Sequence, residues 1–266
     1  MRDVAQEGCR DGFQVLGAHA AIVGPVGKTA PAAARLCQQA PGKGVNSRTE
    51  IDTPVMTMTD WESRLRRALT GTSEQPPRPM SRLELPLNMD KLLLTPALLK
   101  SLRPAAVLAP VIRRGDGLTM MFTVRSDRLR SHKGQISFPG GRRDDDDASA
   151  AANALREAEE EVGLPPASVE VLGYLDDYPT MTRYLVTPVV GIISGEPEIR
   201  PCEDEVAEVF EAPLEFVLDL RNFEHKMLSR EGLNLPFFEL NFGRHRIWGA
   251  TAGMLWNLAN KVAETA

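Results

Sequence analysis

The chain has 266 residues, 42% of them hydrophobic and 25% charged, with a formal net charge of −5. That length holds one ordinary domain with extensions, or two small ones, and the composition is that of a globular protein. The acid excess speaks against a general nucleic-acid surface and no run is apolar and long enough to span a membrane, so neither partner is expected, while three scattered cysteines (Cys9, Cys37, Cys202) form neither a zinc spacing nor a disulfide framework and suit a reducing, cytoplasmic setting.

Residues 1–55 are rich in Ala and Gly and lack periodicity. Asp3, Glu7 and Asp11 interrupt the charges ahead of a modest apolar patch at 15–26, which suits neither a secretory signal nor a transit peptide. The segment is read as disordered, or as translation from a start placed upstream of a true one at Met56 or Met58. Asp60 can then cap a short helix in which Trp61, Leu65 and Leu69 recur at period four. Residues 71–86 form a Pro-rich linker, so 56–101 is read as an N-terminal helix and linker.

A buried strand is predicted over 105–112, with Pro110 demoting it toward an edge or a bulge. Arg114-Gly115-Asp116-Gly117 is a hairpin turn, 118–124 the return strand, and 126–141 a long loop of the kind that often serves function. A helix covers about 148–162: Leu155, Ala158 and Val162 give it an apolar stripe, Gly163 ends it, and Pro165 and Pro166 follow as a stop. Further strands are expected at 169–175, 186–193 and 205–210, and Pro213 opens a short helix to Leu218. Two late strands, 235–240 and 244–248, flank an Asn241-Phe242-Gly243 turn. A last helix at 250–262 buries Leu255, Leu258 and Val262. Strands with two major helices interposed imply an α+β fold with a mixed sheet.

The chemistry centres on the helix at 148–162. Glu157, Glu160 and Glu161 stand at i, i+3 and i+4, where like charges repel by a few tenths of a kcal/mol, roughly, per pair. A hard divalent cation would reverse that sign, because Mg²⁺ takes carboxylate oxygens together with substrate phosphates. Glu-rich helices are more often plain solvated faces. Here Glu159 points to the other side, and the apolar stripe shows that the helix packs on something.

Arg156-Glu157-x-x-Glu160-Glu161-x-Gly163-Leu164, preceded by Gly140-Gly141, resembles the signature of the Nudix hydrolases, metal-dependent enzymes that cleave nucleoside diphosphates linked to another group. The family spacing places Arg142 and Ala148 at the upstream Gly and Glu positions. A one-residue insertion restores the pattern with Gly141 and Asp147. Phe122-Thr123-Val124-Arg125-Ser126, Arg130, Gly134 and Phe138-Pro139-Gly140-Gly141, with the C-terminal run 247–254, resemble the coenzyme A pyrophosphatase branch, so that the likeness covers roughly 100–264.

The resemblance implies an α/β/α sandwich over 102–240, with 241–266 a C-terminal strand and helix docked on it. It implies Mg²⁺ or Mn²⁺ held by the Gly140 carbonyl, Glu160, Glu161 and Glu157, with Arg156 bracing the glutamates. The proton-accepting base is either Glu157 or an acid in a later loop, where Glu205 of the cluster Glu203-Asp204-Glu205 is the candidate. Asp144 to Asp147 read as an acidic turn. Arg125, Arg128, Arg130, His132 and Lys133 concentrate positive charge beside this acidic site and suit an anionic substrate with extra phosphate; the four cations are taken as substrate-binding and His132 as structural. His225 and His245 have no ligand spacing, and Asp176-Asp177 reads as a strand-end turn. The expected reaction is hydrolysis of the pyrophosphate of coenzyme A or its derivatives, giving 3′,5′-ADP and 4′-phosphopantetheine or its acyl form. The alternatives are another nucleoside diphosphate derivative (ADP-ribose, NADH, a dinucleoside polyphosphate) or a Nudix fold kept as a non-catalytic ligand-binding regulator. Nothing in the sequence sets an oligomeric state.

Overall fold

The structure, a computed structural model, describes residues 57–81, 96–115, 117–129, 131–230 and 233–265. The expectations for 1–55 and for the end of the linker lie outside these residues. The element order is α1 (Met58–Leu69), α2 (Pro96–Ser101), β1 (Arg103–Arg114), β2 (Gly117–Arg125), β3 (Ile136–Ser137), β4 (Gly140–Arg142), α3 (Ala150–Val162), β5 (Val169–Tyr174), β6 (Tyr178–Pro179), β7 (Tyr184–Ile193), β8 (Val206–Pro213), α4 (Leu214–Leu218), β9 (Glu224–Arg230), β10 (Leu233–Phe242), β11 (His245–Trp248) and α5 (Ala250–Ala263).

Strand β1 organises the mixed sheet. It runs parallel to β7 along ten residues and antiparallel to β2 and β4 on its other side. Successive side chains of a strand point to opposite faces, and β1 is apolar on both. Ala106, Leu108 and Ile112 cluster with Met121, Val189 and Ile193 beneath Ala154, Ala158 and Val162 of α3. Ala105, Val107, Ala109 and Val111 cluster on the opposite face with residues of α1, α4 and α5. The result is the α+β, helix–sheet–helix arrangement that the Nudix resemblance implies.

Pro110 lies in this central strand, not at an edge. The Leu108 N–H donates to the Pro139 carbonyl at 2.9 Å. By alternation, position 110 faces the same side, where β1 passes from its pairing with β4 (Val107 with Gly140) to its pairing with β2 (Val111 with Met120). The missing N–H therefore falls in the gap between two partners, where no ladder bond is required.

Helix α1 caps the domain. Its N-cap is Thr57 rather than Asp60; the Asp60 N–H donates to the Thr57 hydroxyl at 3.3 Å, and the Thr57 N–H to the Asp60 carboxylate at 3.0 Å. Asp60 is thus the third helical residue of a capping box. Leu65 and Leu69 are buried, Glu62 accepts from Arg113 of β1 at 2.9 Å, and Arg66 donates to Glu170 of β5 at 2.7 Å. The segment after it packs on the domain, although its proline content reads as a linker. Arg78 donates to Asp177 at 2.7 Å, the Ser81 N–H reaches the Asp177 carbonyl, and the Asp177 N–H reaches the Pro79 carbonyl, both at 2.9 Å. Cys202 is disulfide-bonded, a departure from the expectation of isolated thiols. No helix among the described residues is long and apolar enough to cross a membrane.

Strands β9, β10 and β11 form a separate antiparallel sheet against α5. The division expected at 240/241 falls inside β10. Glu239 of β10 is 2% exposed, with Arg246 donating at 2.6 Å and Lys226 at 2.5 Å. The Arg246 bond is the main cause of its carboxyl being held down at about 2; burial opposes this, and Lys226 and Asn241 help it. A depressed carboxyl contributes stability above its unfolded value near 4.5, and that contribution is lost as pH falls toward 2. Thermal melts of the wild type between pH 2.5 and 6 are expected to show this acid loss, and Glu239→Gln to flatten it while melting lower at neutral pH. In the core, Leu65→Ala is expected to lower the unfolding free energy by about 2–5 kcal/mol in urea titrations.

Candidate active site

Helix α3 starts at Ser149, whose hydroxyl accepts from the Ala152 N–H at 3.0 Å, and ends at Gly163 in the left-handed region (φ 70°). Its buried side is 153/154, 157/158 and 161/162; Leu155 is only part-buried. Two of the three signature glutamates therefore face inward. Glu157 and Glu161 are buried, whereas the Glu160 side chain is 41% exposed.

The glycine turn makes room for them. A Cβ on Gly140 (φ 152°) would lie 2.4 Å from the Ala106 carbonyl oxygen, and one on Gly141 would lie 2.5 Å from the Glu157 carboxylate. The turn also contributes a donor, since the Gly140 N–H reaches Glu161 at 3.3 Å. Burial pushes Glu157 up to about 7, opposed by Arg156 and reinforced by Glu160 and Glu205. Burial likewise pushes Glu161 up to about 8, opposed by Arg125 and the Gly140 N–H and reinforced by Glu157 and Glu205. Glu205, far along the chain, thus shares one electrostatic site with Glu157 and Glu161. Its loop is fixed to the end of β2: the Ser126 N–H donates to the Glu205 carbonyl at 2.8 Å and the Ser126 hydroxyl to the Glu203 carbonyl at 3.2 Å.

Arg156 holds the acids in place. Its fork meets both oxygens of Asp147 at 3.0 Å, Glu157 at 3.0 Å and Glu160 at 3.0 Å. Its own pKa rises, chiefly through Asp147. Burial raises Asp147, but the bonds from Arg156 and from the Asp144 N–H outweigh it and leave the carboxyl below its usual range. The acidic run is therefore not uniform: Asp147 is a buried clamp, while Asp145 and Asp146 are exposed. Among the described residues no three His, Cys, Asp or Glu side chains already converge as a metal cage, and Glu160 is turned toward Arg156. The donor chemistry nonetheless fits a hard cation, because two desolvated carboxylates and a third nearby carry more negative charge than Arg125 and Arg156 relieve.

The basic cluster is divided. Arg125 is buried beside Glu161, Arg128 is an exposed residue paired with Asp204 at 2.8 Å, and Lys133 is exposed. Arg130 lies outside the described residues. His132 is bonded to Gln135 at 2.7 Å within its own loop. Asp176 and Asp177 are fastened to Lys261 and Arg78 respectively. Two further residues near the site stand out weakly or not at all in the sequence. Asn153, fully buried, donates to the Arg142 carbonyl at 3.2 Å and so ties α3 to the glycine turn. Its place four residues before Glu157 is the only cue. Tyr178 lines a cavity of about 1050 Å³ that also reaches Gly140 and Arg125, and no local spacing points to it.

A mixed sheet with a glycine turn feeding an acid-bearing helix is the frame of a NUDIX domain, and residues 102–230 match that family. Over 160 residues the chain is 46% identical to "Uncharacterized Nudix hydrolase NudL" of Escherichia coli (strain K12), covering 60% of this chain and 83% of that protein. The protein of the same description from Shigella flexneri is 45% identical over 163 residues, covering 61% and 84%. The chain belongs to the Nudix hydrolase family. Solved structures are similar more loosely: a MutT/nudix family protein from Enterococcus faecalis (16% identity, TM-score 0.39, 61% of this chain and 62% of that one) and a C. elegans Ap4A hydrolase binary complex (15%, 0.37, 42% and 80%). Membership of the family makes the protein a hydrolase of nucleoside diphosphate derivatives, in a family that generally uses divalent metal ions.

Gly141→Ala is expected to displace the Glu157 carboxylate and lower kcat/KM by about 100-fold or more, since misplacements of about an ångström within a site cost on that order. Arg156→Lys keeps the charge but not the fork. It is expected to lose activity in the same assay while melting close to wild type.

Proposed function

We propose that this Nudix hydrolase cleaves the pyrophosphate of coenzyme A or its derivatives, yielding 3′,5′-ADP and 4′-phosphopantetheine or its acyl form. The observation that supports the site is the burial of Glu157 and Glu161 behind the Gly140-Gly141 turn, where the Gly140 N–H reaches Glu161 at 3.3 Å and the lack of a Cβ at 141 leaves room for the Glu157 carboxylate. Glu157, Glu160, Glu161 and the Gly140 carbonyl would hold Mg²⁺ or Mn²⁺. The ion, when bound, supplies Lewis-acid polarisation of phosphoryl oxygens and a more acidic water. Arg156 keeps the carboxylates aligned through its fork and, with Asp147, fixes the turn against α3. Glu205 accepts the proton of the attacking water, with Glu157 the alternative.

The coenzyme A assignment is supported by the Phe122–Ser126 and Phe138–Gly141 resemblance and by the cations at 125–133. Arg125 lines the cavity beside Glu161, and Lys133 is exposed in the loop that follows. Arg128 is engaged with Asp204, an exposed pair worth under about 1 kcal/mol, so that it can be released at little cost.

Coenzyme A, ADP-ribose, NADH and diadenosine polyphosphates, incubated separately with protein and Mg²⁺ or Mn²⁺ and resolved by chromatography, test the reading. Coenzyme A is expected to give the highest kcat/KM; preference for ADP-ribose would overturn the substrate assignment, and tight binding without turnover would indicate the regulator. Glu160→Gln and Glu161→Gln are expected to remove most activity and the rise in Tm caused by added Mn²⁺. Glu205→Gln is expected to keep that rise while kcat falls by about 100- to 10,000-fold.

A further inference from the structure

The cavity of about 1050 Å³ that begins at Gly140 and Arg125 continues away from the acids, between the 176–182 segment, β10 and the side of α5. Much of its wall lies outside the 102–230 family match: Pro79 to Ser81 on one side, and Phe237, Phe238, Met254 and Trp256 on the other. Phe238 and Trp256 stack at 4.4 Å between ring centroids. At its mouth stand Met181 and Leu228, 62% and 40% exposed. These are two of the three large hydrophobic side chains that are exposed among the described residues.

The polar groups along this wall are mostly satisfied by one another. Asp176 accepts from Asn257 at 3.0 Å and pairs with Lys261 at 2.9 Å. Thr180 and Thr182 share a hydrogen bond at 3.0 Å, and Thr251 donates to the Ile136 carbonyl at 3.0 Å. Tyr178 is not held in this way: it is part-buried, its hydroxyl forms no hydrogen bond among the described residues, and burial pushes the phenol up to about 12, so it stays a neutral donor. Its position is enforced from below. A Cβ on Gly253 of α5 would lie 2.6 Å from Tyr178 Cε2 and 2.9 Å from its hydroxyl oxygen, so only glycine lets the ring lie against the helix. A part-buried phenol on a cavity wall keeps its hydroxyl open to an acceptor from a ligand.

We infer that this cavity is a subsite for the non-nucleotide arm of the substrate, an apolar chain with an amide or ester carbonyl that accepts a hydrogen bond from Tyr178. Continuity with Gly140 and Arg125 sets the direction: diphosphate at the acidic end, arm along Phe238 and Trp256, chain end at Met181 and Leu228. The inference rests on the Nudix hydrolase assignment and deepens the coenzyme A reading without depending on it.

ADP esters of n-alkanols with two to ten carbons, and a matched series with one amide in the chain, isolate the arm from the rest of coenzyme A. In the wild type, kcat/KM is expected to rise by about 2- to 4-fold per added methylene until the cavity is filled. Trp256→Ala should flatten that rise. Met181→Lys, an exposed change that does not threaten folding, should weaken it for the longest chains only. Tyr178→Phe should raise KM about tenfold for the amide series, with kcat kept and the plain alkyl series unmoved. Calorimetric titration of the same esters reads the chain-length dependence without turnover. A flat dependence in the wild type, or one that Trp256→Ala and Met181→Lys leave intact, would overturn the inference. An equal effect of Tyr178→Phe on both series would remove the assigned hydrogen bond. Failure to cleave coenzyme A with the chain-length dependence present would instead refute only the coenzyme A reading.

Discussion

The guanidinium of Arg156 is the interaction on which the site depends. It gathers Asp147, Glu157 and Glu160 around one cation, on a helix whose inner side would otherwise set carboxylates against the apolar underside of the sheet. A buried charge without a partner is costly enough that the group takes up a proton or moves. The raised values of Glu157 and Glu161 show how far that pressure remains after Arg156 and Arg125 have acted. The glycine turn, the Asn153 bond to Arg142 and the Asp147 clamp are all ways of holding negative charge where solvent would not leave it.

Strand β1 makes this possible mechanically. Because it is apolar on both faces and paired on both edges, it fixes α3 on one side and α1, α4 and α5 on the other at the same time. The buried acids and the cavity are therefore built on opposite faces of one sheet, and they meet where Gly140 passes beside β1, next to Arg125.

Much of this was legible in the chain. The motif helix, its glycine stop, the hairpin at 114–117 and the last helix follow from periodicity and local turn chemistry, which need only neighbours in sequence. The misreadings share a cause. Pro110 reads as an edge residue because local rules do not register that a partner strand changes beside it. Asp60 reads as the cap because Thr57 lies ahead of the periodic run, and 71–86 reads as a linker because the Arg78 bond to Asp177 spans 99 residues. For the site, the glutamates and Arg156 stand out by spacing. Glu157 and Glu161 being inward while Glu160 is outward, and Tyr178 lying against Gly253, are facts of packing. Asp147 lay between the two cases: its position was marked by the motif, but its bond to Arg156 required the turn to be built.

The bond between Arg78 and Asp177 has a consequence for how the chain is assembled. Residues 57–81 are held by Leu65 and Leu69 in the core, by ion pairs from Glu62 and Arg66, and by this clasp, all of them contacts that do not require the peptide connection to β1. A single backbone cut between Ser81 and Pro96 would therefore leave two pieces with a complementary, largely apolar joint. The protein can be regarded as a domain carrying its own docked peptide, and the two parts are suited to reassociation as separate chains.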